Sequence, residues 1–272
     1  MLMQGMRSSV AAWTLAICCA SGAIAQDAAE KAPAQDQDKP AAKADKPEVA
    51  DLPGPPPIPE VKLGPTLPTH AIRRGAPEYN VQMVDASLLP RDRSGIWVLD
   101  FAFKPMRIVT VELPNKGRRN IYYLYYRVVN RTGKPIMFVP QFTFVTDTGK
   151  RYEDVVIPQA VKLIQAREDA AIPLLGAVNV LGVIPPSTKD GIDDAVYGVA
   201  IWDDIDPKAD AFKIYVRGLS DGYQELPPPA GADKPAVRYK TLRIDFIRRG
   251  DALHINEKEI QILDPPYEWI YW

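Results

Sequence analysis

From Ile96 onward the chain alternates apolar and polar residues in short runs broken by Gly, Pro, Asn and Asp. Period-two alternation is the pattern of a strand with one buried face. Ile96–Lys104 puts Trp97, Leu99, Phe101 and Phe103 on one side. Pro105 interrupts, Arg107–Leu113 resumes, and Asn115-Lys116-Gly117 makes a turn. Ile121–Asn130 carries Leu124, Tyr126 and Val128 on one face and Tyr123, Tyr125 and Val129 on the other. A turn over Asn130–Gly133 leads into Pro135–Thr146, which alternates through Phe138, Pro140, Phe142 and Phe144. Thr146-Asp147-Thr148-Gly149 then closes a hairpin into Arg151–Ile157. Pro158–Asp169 breaks the rhythm: Val161, Ile164 and Glu168 fall at helical spacing, and Pro158 suits a first helical turn. Strand patterns return at Val178–Ile184, Tyr197–Trp202 and Phe212–Leu219, with Asp206 capping a turn between the last two. Tyr197–Trp202 is apolar throughout, as a central strand buried on both faces would be. Beyond Leu226–Pro235, Val237–Ile247 alternates through Leu242, Ile244 and Phe246, followed by apolar Ile260–Leu263 and aromatic Tyr267–Trp272. Many strands, frequent turns and one short helix predict a mostly β antiparallel sandwich or barrel.

The N-terminal quarter reads differently. Met1–Ala25 has Arg7, an apolar stretch from Val10 to Ala20, and Ala23-Ile24-Ala25 before Gln26. That is a secretory signal peptide with an A-x-A cleavage site, and it predicts an exported protein: periplasmic, cell-surface or secreted. The stretch is shorter than the ~20 residues a spanning helix needs, and no later segment supplies a transmembrane span. Both cysteines, Cys18 and Cys19, fall inside the signal, so the mature chain would have no disulfide. Residues 26–76 are rich in Ala, Pro, Lys and Asp and poor in large apolar side chains, which predicts a disordered, partly polyproline stalk. The expected organisation is a signal peptide at 1–25, this linker at 26–76, a β-sandwich at 77–225, and at 226–272 a second linker plus a C-terminal β-hairpin packed on the sandwich. The segment after Pro235 is below the ~40 residues at which unaided domains fail to fold, so it must bury itself on the main body or a partner.

Two stretches carry a resemblance: Val199–Tyr223 (VAIWDDIDPKADAFKIYVRGLSDGY) and Lys240–Asp251 (KTLRIDFIRRGD). They resemble uncharacterised exported bacterial proteins with an immunoglobulin-like β-sandwich domain, over roughly Trp97 to Trp272. The resemblance implies an envelope location and that fold, and it transfers no catalytic residue.

Candidate chemistry is thin. A net charge of -1, with Arg73-Arg74, Arg118-Arg119 and Arg248-Arg249 isolated along the chain, argues against nucleic acid as a partner. No histidine occurs between Gly75 and Leu253; His70 lies in the linker and His254 in the tail. Ser87, Ser94, Ser187 and Ser220 are the only serines after the signal. A nucleophile-histidine set, a zinc site and a nucleotide-binding glycine loop are all missing, so no cofactor is expected. Carboxylates remain: Glu153-Asp154, Asp203-Asp204, and Glu257 with Glu259. Neighbours on a strand point to opposite faces, so these pairs do not imply opposed acids. Asp190, Asp193 and Asp194 precede one predicted strand, and Asp203, Asp204, Asp206 and Asp210 follow it. The second group offers hard oxygen ligands for calcium but lacks a calcium-loop spacing; capping and solvation account for the same aspartates. Tyr267, Trp269, Tyr271 and Trp272 form either a strand packed on the domain, an exposed patch that docks a protein or a glycan, or the end of an outer-membrane barrel. The resulting expectation is a non-catalytic interaction or structural module of the cell envelope, whose partner is a protein or glycan. A carbohydrate-binding module using exposed aromatics and a carboxylate-dependent hydrolase are the alternatives.

Overall fold

A computed structural model describes residues 64–76, 78–86, 92–114, 116–228, 235–250, 258 and 260–272. The predicted signal peptide, residues 26–63 of the predicted linker, His254, Glu257 and Glu259 lie outside the described residues. In chain order the elements are β1 (His70–Arg73), β2 (Gln82–Val84), β3 (Asp100–Phe103), β4 (Arg107–Leu113), β5 (Gly117–Val129), β6 (Ile136–Phe138), β7 (Gln141–Thr146) and β8 (Arg151–Glu153). Then come α1 (Pro158–Glu168), β9 (Gly182–Ile184), β10 (Ile192–Trp202), β11 (Ala211–Arg217), β12 (Tyr223–Leu226), β13 (Ala236–Arg248), β14 (Ile260–Ile262) and β15 (Glu268–Tyr271). Among the described residues the protein is mostly β, with several antiparallel sheets and one helix.

One sheet runs β1-β10-β5-β3-β2, with β4 also on β5. The other runs β12-β13-β11-β7-β8, with β14 and β15 also on β13. β6 and β9 form a separate pair. Alternation on β5 and β10 decides how the sheets meet. Tyr122, Leu124, Tyr126 and Val128, with Val196, Ala200 and Trp202, join Phe142, Phe144, Phe212, Ile214, Leu242, Ile244 and Phe246 of the other sheet in one core. Aromatic rings tie the layers together: Tyr126 lies 4.7 Å from Phe142, and Phe144 meets Trp202 at 5.5 Å. Gly198 makes this possible, because a Cβ there would sit 2.4 Å from the Tyr126 ring.

The opposite face of the same two strands is also apolar. Ile121, Tyr123, Tyr125, Ala195, Tyr197, Val199 and Ile201 form a second core with Ile157, Ala160, Ile164 and Leu174. Helix α1 is the lid of this core; Pro158 stands in its first turn, and Ala160 and Ile164 are its buried residues. β5 and β10 are therefore buried on both faces, as the unbroken apolar run of Tyr197–Trp202 predicted.

Several expectations are corrected. The predicted linker at 26–76 ends too late: Gly64–Ala76 belongs to the fold, since β1 pairs with β10 and Leu67 is buried. Averaged composition hid this, because an edge strand needs few buried side chains. The strand expected over Val178–Ile184 is only β9; the preceding residues form a turn in which the Val180 N–H bonds the Gly176 carbonyl at 3.1 Å. Pro135–Thr146 splits into β6 and β7 because these strands have different partners, β9 and β11. Ile96–Lys104 and Arg151–Ile157 shrink to β3 and β8, with Val98 making only an isolated bridge to Ser220. β10 begins at Ile192, so Asp193 and Asp194 lie within the strand rather than before it. The boundary placed at 226 falls inside a sheet. β12 pairs with β13 across Leu226–Pro235, and β13 lies between β11 and β15 rather than in an appended hairpin.

Candidate functional site

A cluster of charged side chains lies where the C-terminal end of α1 meets the passage from β3 to β4 along β5. The helix brings Glu168 there; β3 and β4 run in the same direction along β5, and the bulge between them at Lys104–Met106 brings Lys104 and Arg107 from the sheet. The Glu168 carboxylate is almost sealed, at 1% side-chain exposure, and accepts three hydrogen bonds: from Lys104 Nζ and Arg107 Nη1, both at 2.9 Å, and from the Tyr123 hydroxyl at 2.8 Å. Burial alone would raise its pKa, but the bonds from Lys104 and Tyr123 and the charges of Lys104 and Arg107 outweigh burial and hold it below the usual carboxylate value. Burial, followed by the Glu168 charge, pushes the Tyr123 hydroxyl up. Beside this clamp is a cleft of about 320 Å³ walled by Tyr79, Tyr125 and Tyr197, with Glu78, Lys104 and Asp169 at its margins. Tyr79 is 90% exposed. Lys104 lies 4.8 Å above the Tyr125 ring, Tyr125 and Tyr197 are 5.8 Å apart, and His70 meets the edge of Tyr197 at 6.2 Å. Glu78 is paired with Arg127, and Asp169 Oδ1 accepts the Ala171 N–H at 2.9 Å.

Chemically, this arrangement holds the Glu168 carboxylate ionised. A carboxylate clamped by two cations and a phenol is a poor general acid, and its lone pairs are already taken. His70, expected in the linker, is therefore a β1 residue at the rim of this cleft.

The residues singled out from sequence lie elsewhere. Asp203 pairs with Arg119 at 3.2 Å and Lys116 at 3.5 Å, Asp204 with Arg119 at 2.8 Å, Asp206 with Lys150 at 2.9 Å, and Asp210 with Arg248 at 3.5 Å. Asp206 also caps its turn through the Lys208 N–H, as expected. Asp203 and Asp204 share Arg119, while Asp206 and Asp210 are committed to other basic side chains, so the four do not converge as one ligand set. Among the described residues no group of three or more His, Cys, Asp or Glu side chains could hold a metal ion. Asp193 is buried and held below the usual carboxylate value: burial would raise it, but bonds from Arg131 and Arg74 prevail. Of the Glu153-Asp154 pair, Glu153 accepts from Thr143 and Arg151, while burial pushes Asp154 up to about 6.

The C-terminal aromatics form a strand on β13. Trp269 is not open to a partner: it is buried in the main core, and its Nε1 donates to the Asp85 carbonyl at 2.9 Å. The Tyr267 hydroxyl accepts the Asp85 N–H, and Tyr271 bonds Asp92. Trp272 stacks on Tyr215 at 4.4 Å, with Arg151 4.9 Å above its ring. On the same sheet, Arg217 covers Tyr239 and Arg93 covers Tyr223, each at 4.4 Å. Each of these rings thus has one face set against another ring or a guanidinium group, while Tyr223 and Tyr239 stay exposed.

Sequence reasoning missed Glu78, Lys104, Arg107 and Arg127, which are scattered along the chain and carry no spacing signal. Glu168 had one: an acid on the predicted apolar stripe of a helix. Among the described residues no helix is long and apolar enough to cross a membrane. No family model, no curated protein and no solved structure matches this chain.

Proposed function

We propose that this is an exported, non-catalytic interaction or structural module of the cell envelope, built on an immunoglobulin-like β-sandwich. The observation that supports the reading best is the Glu168 clamp. In the cleft richest in ionisable groups, Glu168 is bonded to Lys104, Arg107 and Tyr123, and Glu78 to Arg127. Such pairing holds elements together and leaves no acid–base couple for turnover. Location rests on the Met1–Ala25 signal pattern. The test is to immobilise the full chain, expose it to detergent-solubilised envelope, and screen it in parallel for hydrolysis of glycosides, esters and peptides. The expected result is a complex of fixed stoichiometry and no turnover. Hydrolysis abolished by Glu168→Gln would overturn the reading.

Glycan binding is the second reading, and the tyrosine-walled cleft favours it. Tyr79 offers an open ring, and Tyr125 and Tyr197 supply walls beside Glu78, Lys104 and Asp169, a combination suited to stacking on a sugar face and bonding its hydroxyls. Titration of neutral oligosaccharides followed by NMR checks this: shifts should centre on Tyr79 and vanish in Tyr79→Ala.

A further inference from the structure

At the junction of the two sheets an amine and a carboxyl group meet in a dry site. Lys240, on β13, is completely buried, and its Nζ contacts Oδ2 of Asp92, which is 1% exposed. The other carboxyl oxygen, Oδ1, accepts the Tyr271 hydroxyl. Tyr271 is the cross-strand partner of Lys240 on β15. The Trp269 ring lies 5.2 Å from the amine, and Gly222, Ser220 and Ile96 close the site beneath it. Such a pair has two fates. It can remain an ion pair, with both charges held out of water. Alternatively, one proton can pass within the contact from nitrogen to oxygen, giving an amine with a free lone pair against an undissociated acid.

We propose that Lys240 and Asp92 are joined by an intramolecular amide bond between Lys240 Nζ and the side-chain carbonyl carbon of Asp92, formed in the folded chain with Tyr271 as the oxyanion donor. The neutral amine attacks the carboxyl carbon, forming the C–N bond. Negative charge develops on Oδ1, where the Tyr271 hydroxyl already donates. That hydroxyl is pushed up to about 12, by burial first and then by Asp92, so it remains a donor at neutral pH. Oδ2 faces the nitrogen, takes its proton, and leaves as water when the C–O bond breaks. One amine and one carboxylic acid give one amide and one water; no oxidant, metal or nucleotide enters. The fold supplies proximity, which for well-placed intramolecular reactions is equivalent to about 10⁵–10⁸ M of reactant. The product ties the approach to β3, in the first sheet, to β13, inside the second. It gives a chain whose only cysteines are Cys18 and Cys19 a covalent brace of another kind. This proposal does not depend on the binding readings.

The test is the mass of the purified full chain under denaturing conditions, corrected for the N-terminal residue found. The expected mass is lighter than the sequence by one water. Trypsin should fail to cut after Lys240 and should yield a branched peptide containing Asp92 and Lys240. Lys240→Arg and Asp92→Ala should show the full mass and migrate more slowly in a denaturing gel. Tyr271→Phe, which keeps the ring packed, should accumulate the full-mass form. A wild-type chain at full mass after prolonged incubation overturns the proposal, as does one lighter by water but without the branched peptide. A Tyr271→Phe chain cross-linked as fast as wild type overturns the role given to Tyr271.

Discussion

Replacing Glu168 by alanine tests how α1 is held. The carboxylate bonds Lys104, Arg107 and Tyr123, and the two cations are themselves only 20% and 25% exposed. Its removal leaves two half-buried positive charges side by side and a phenol without its acceptor. Deleting one partner of a buried pair costs about 3–5 kcal/mol, and partial rehydration of Lys104 and Arg107 puts this case near 3. For a domain of this size that lowers Tm by roughly 6–12 °C. Glu168→Gln should lose less, because an amide oxygen can still accept from Tyr123. The pH dependence is more specific. Glu168 has its pKa lowered in the folded state, so its stabilisation is fully present above the unfolded glutamate value and disappears as pH falls through the folded one. Circular-dichroism melts of wild type and Glu168→Ala should therefore differ by a constant amount at pH 6–8 and converge below about pH 4. A variant that melts within about two degrees of wild type at pH 7, or a gap that does not narrow in acid, would refute this account.

Asp154 makes the opposite case. Its folded pKa is raised to about 6, so its contribution falls as pH rises from the unfolded aspartate value through 6. Asp154→Asn should raise Tm at pH 8 and change little at pH 4, measured by the same melts. A chain beginning at Gly75 instead of Gly64 loses β1 and the burial of Leu67; one buried leucine is worth about 1.5–3 kcal/mol, so differential scanning calorimetry should show a drop of several degrees. Calcium titrated into the full chain should give no micromolar heat, because Asp203 and Asp204 are paired with Arg119, Asp206 with Lys150 and Asp210 with Arg248. Micromolar binding lost in Asp204→Ala with Asp206→Ala would refute that.

Much of the β architecture was legible because period-two alternation is a direct imprint of burial. β4, β11, β13 and α1 fall close to where apolar spacing put them, and the two-faced burial of β10 followed from its apolar run Tyr197–Trp202. What escaped was set by partners distant in sequence. β1 is a strand only because β10 offers it an edge, and Val178–Leu181 is apolar yet turns because β6 gives Gly182–Ile184 the pairing. The tyrosine-walled cleft escaped for the same reason. Tyr125 and Tyr197 were read as strand positions, and nothing local says that Glu78, Lys104 and Glu168 converge on them.

The position of β13 has a consequence for how the molecule comes into being. Late in the chain, it is nevertheless the strand on which β11, β12, β14 and β15 all pair. The second sheet cannot close until Arg248 has left the ribosome or emerged from a translocation channel. Until then β11 presents a bare edge, a template for unwanted pairing with other chains. On the export route proposed for this chain, the second sheet stays open through transit, and that bare edge must be kept from other chains.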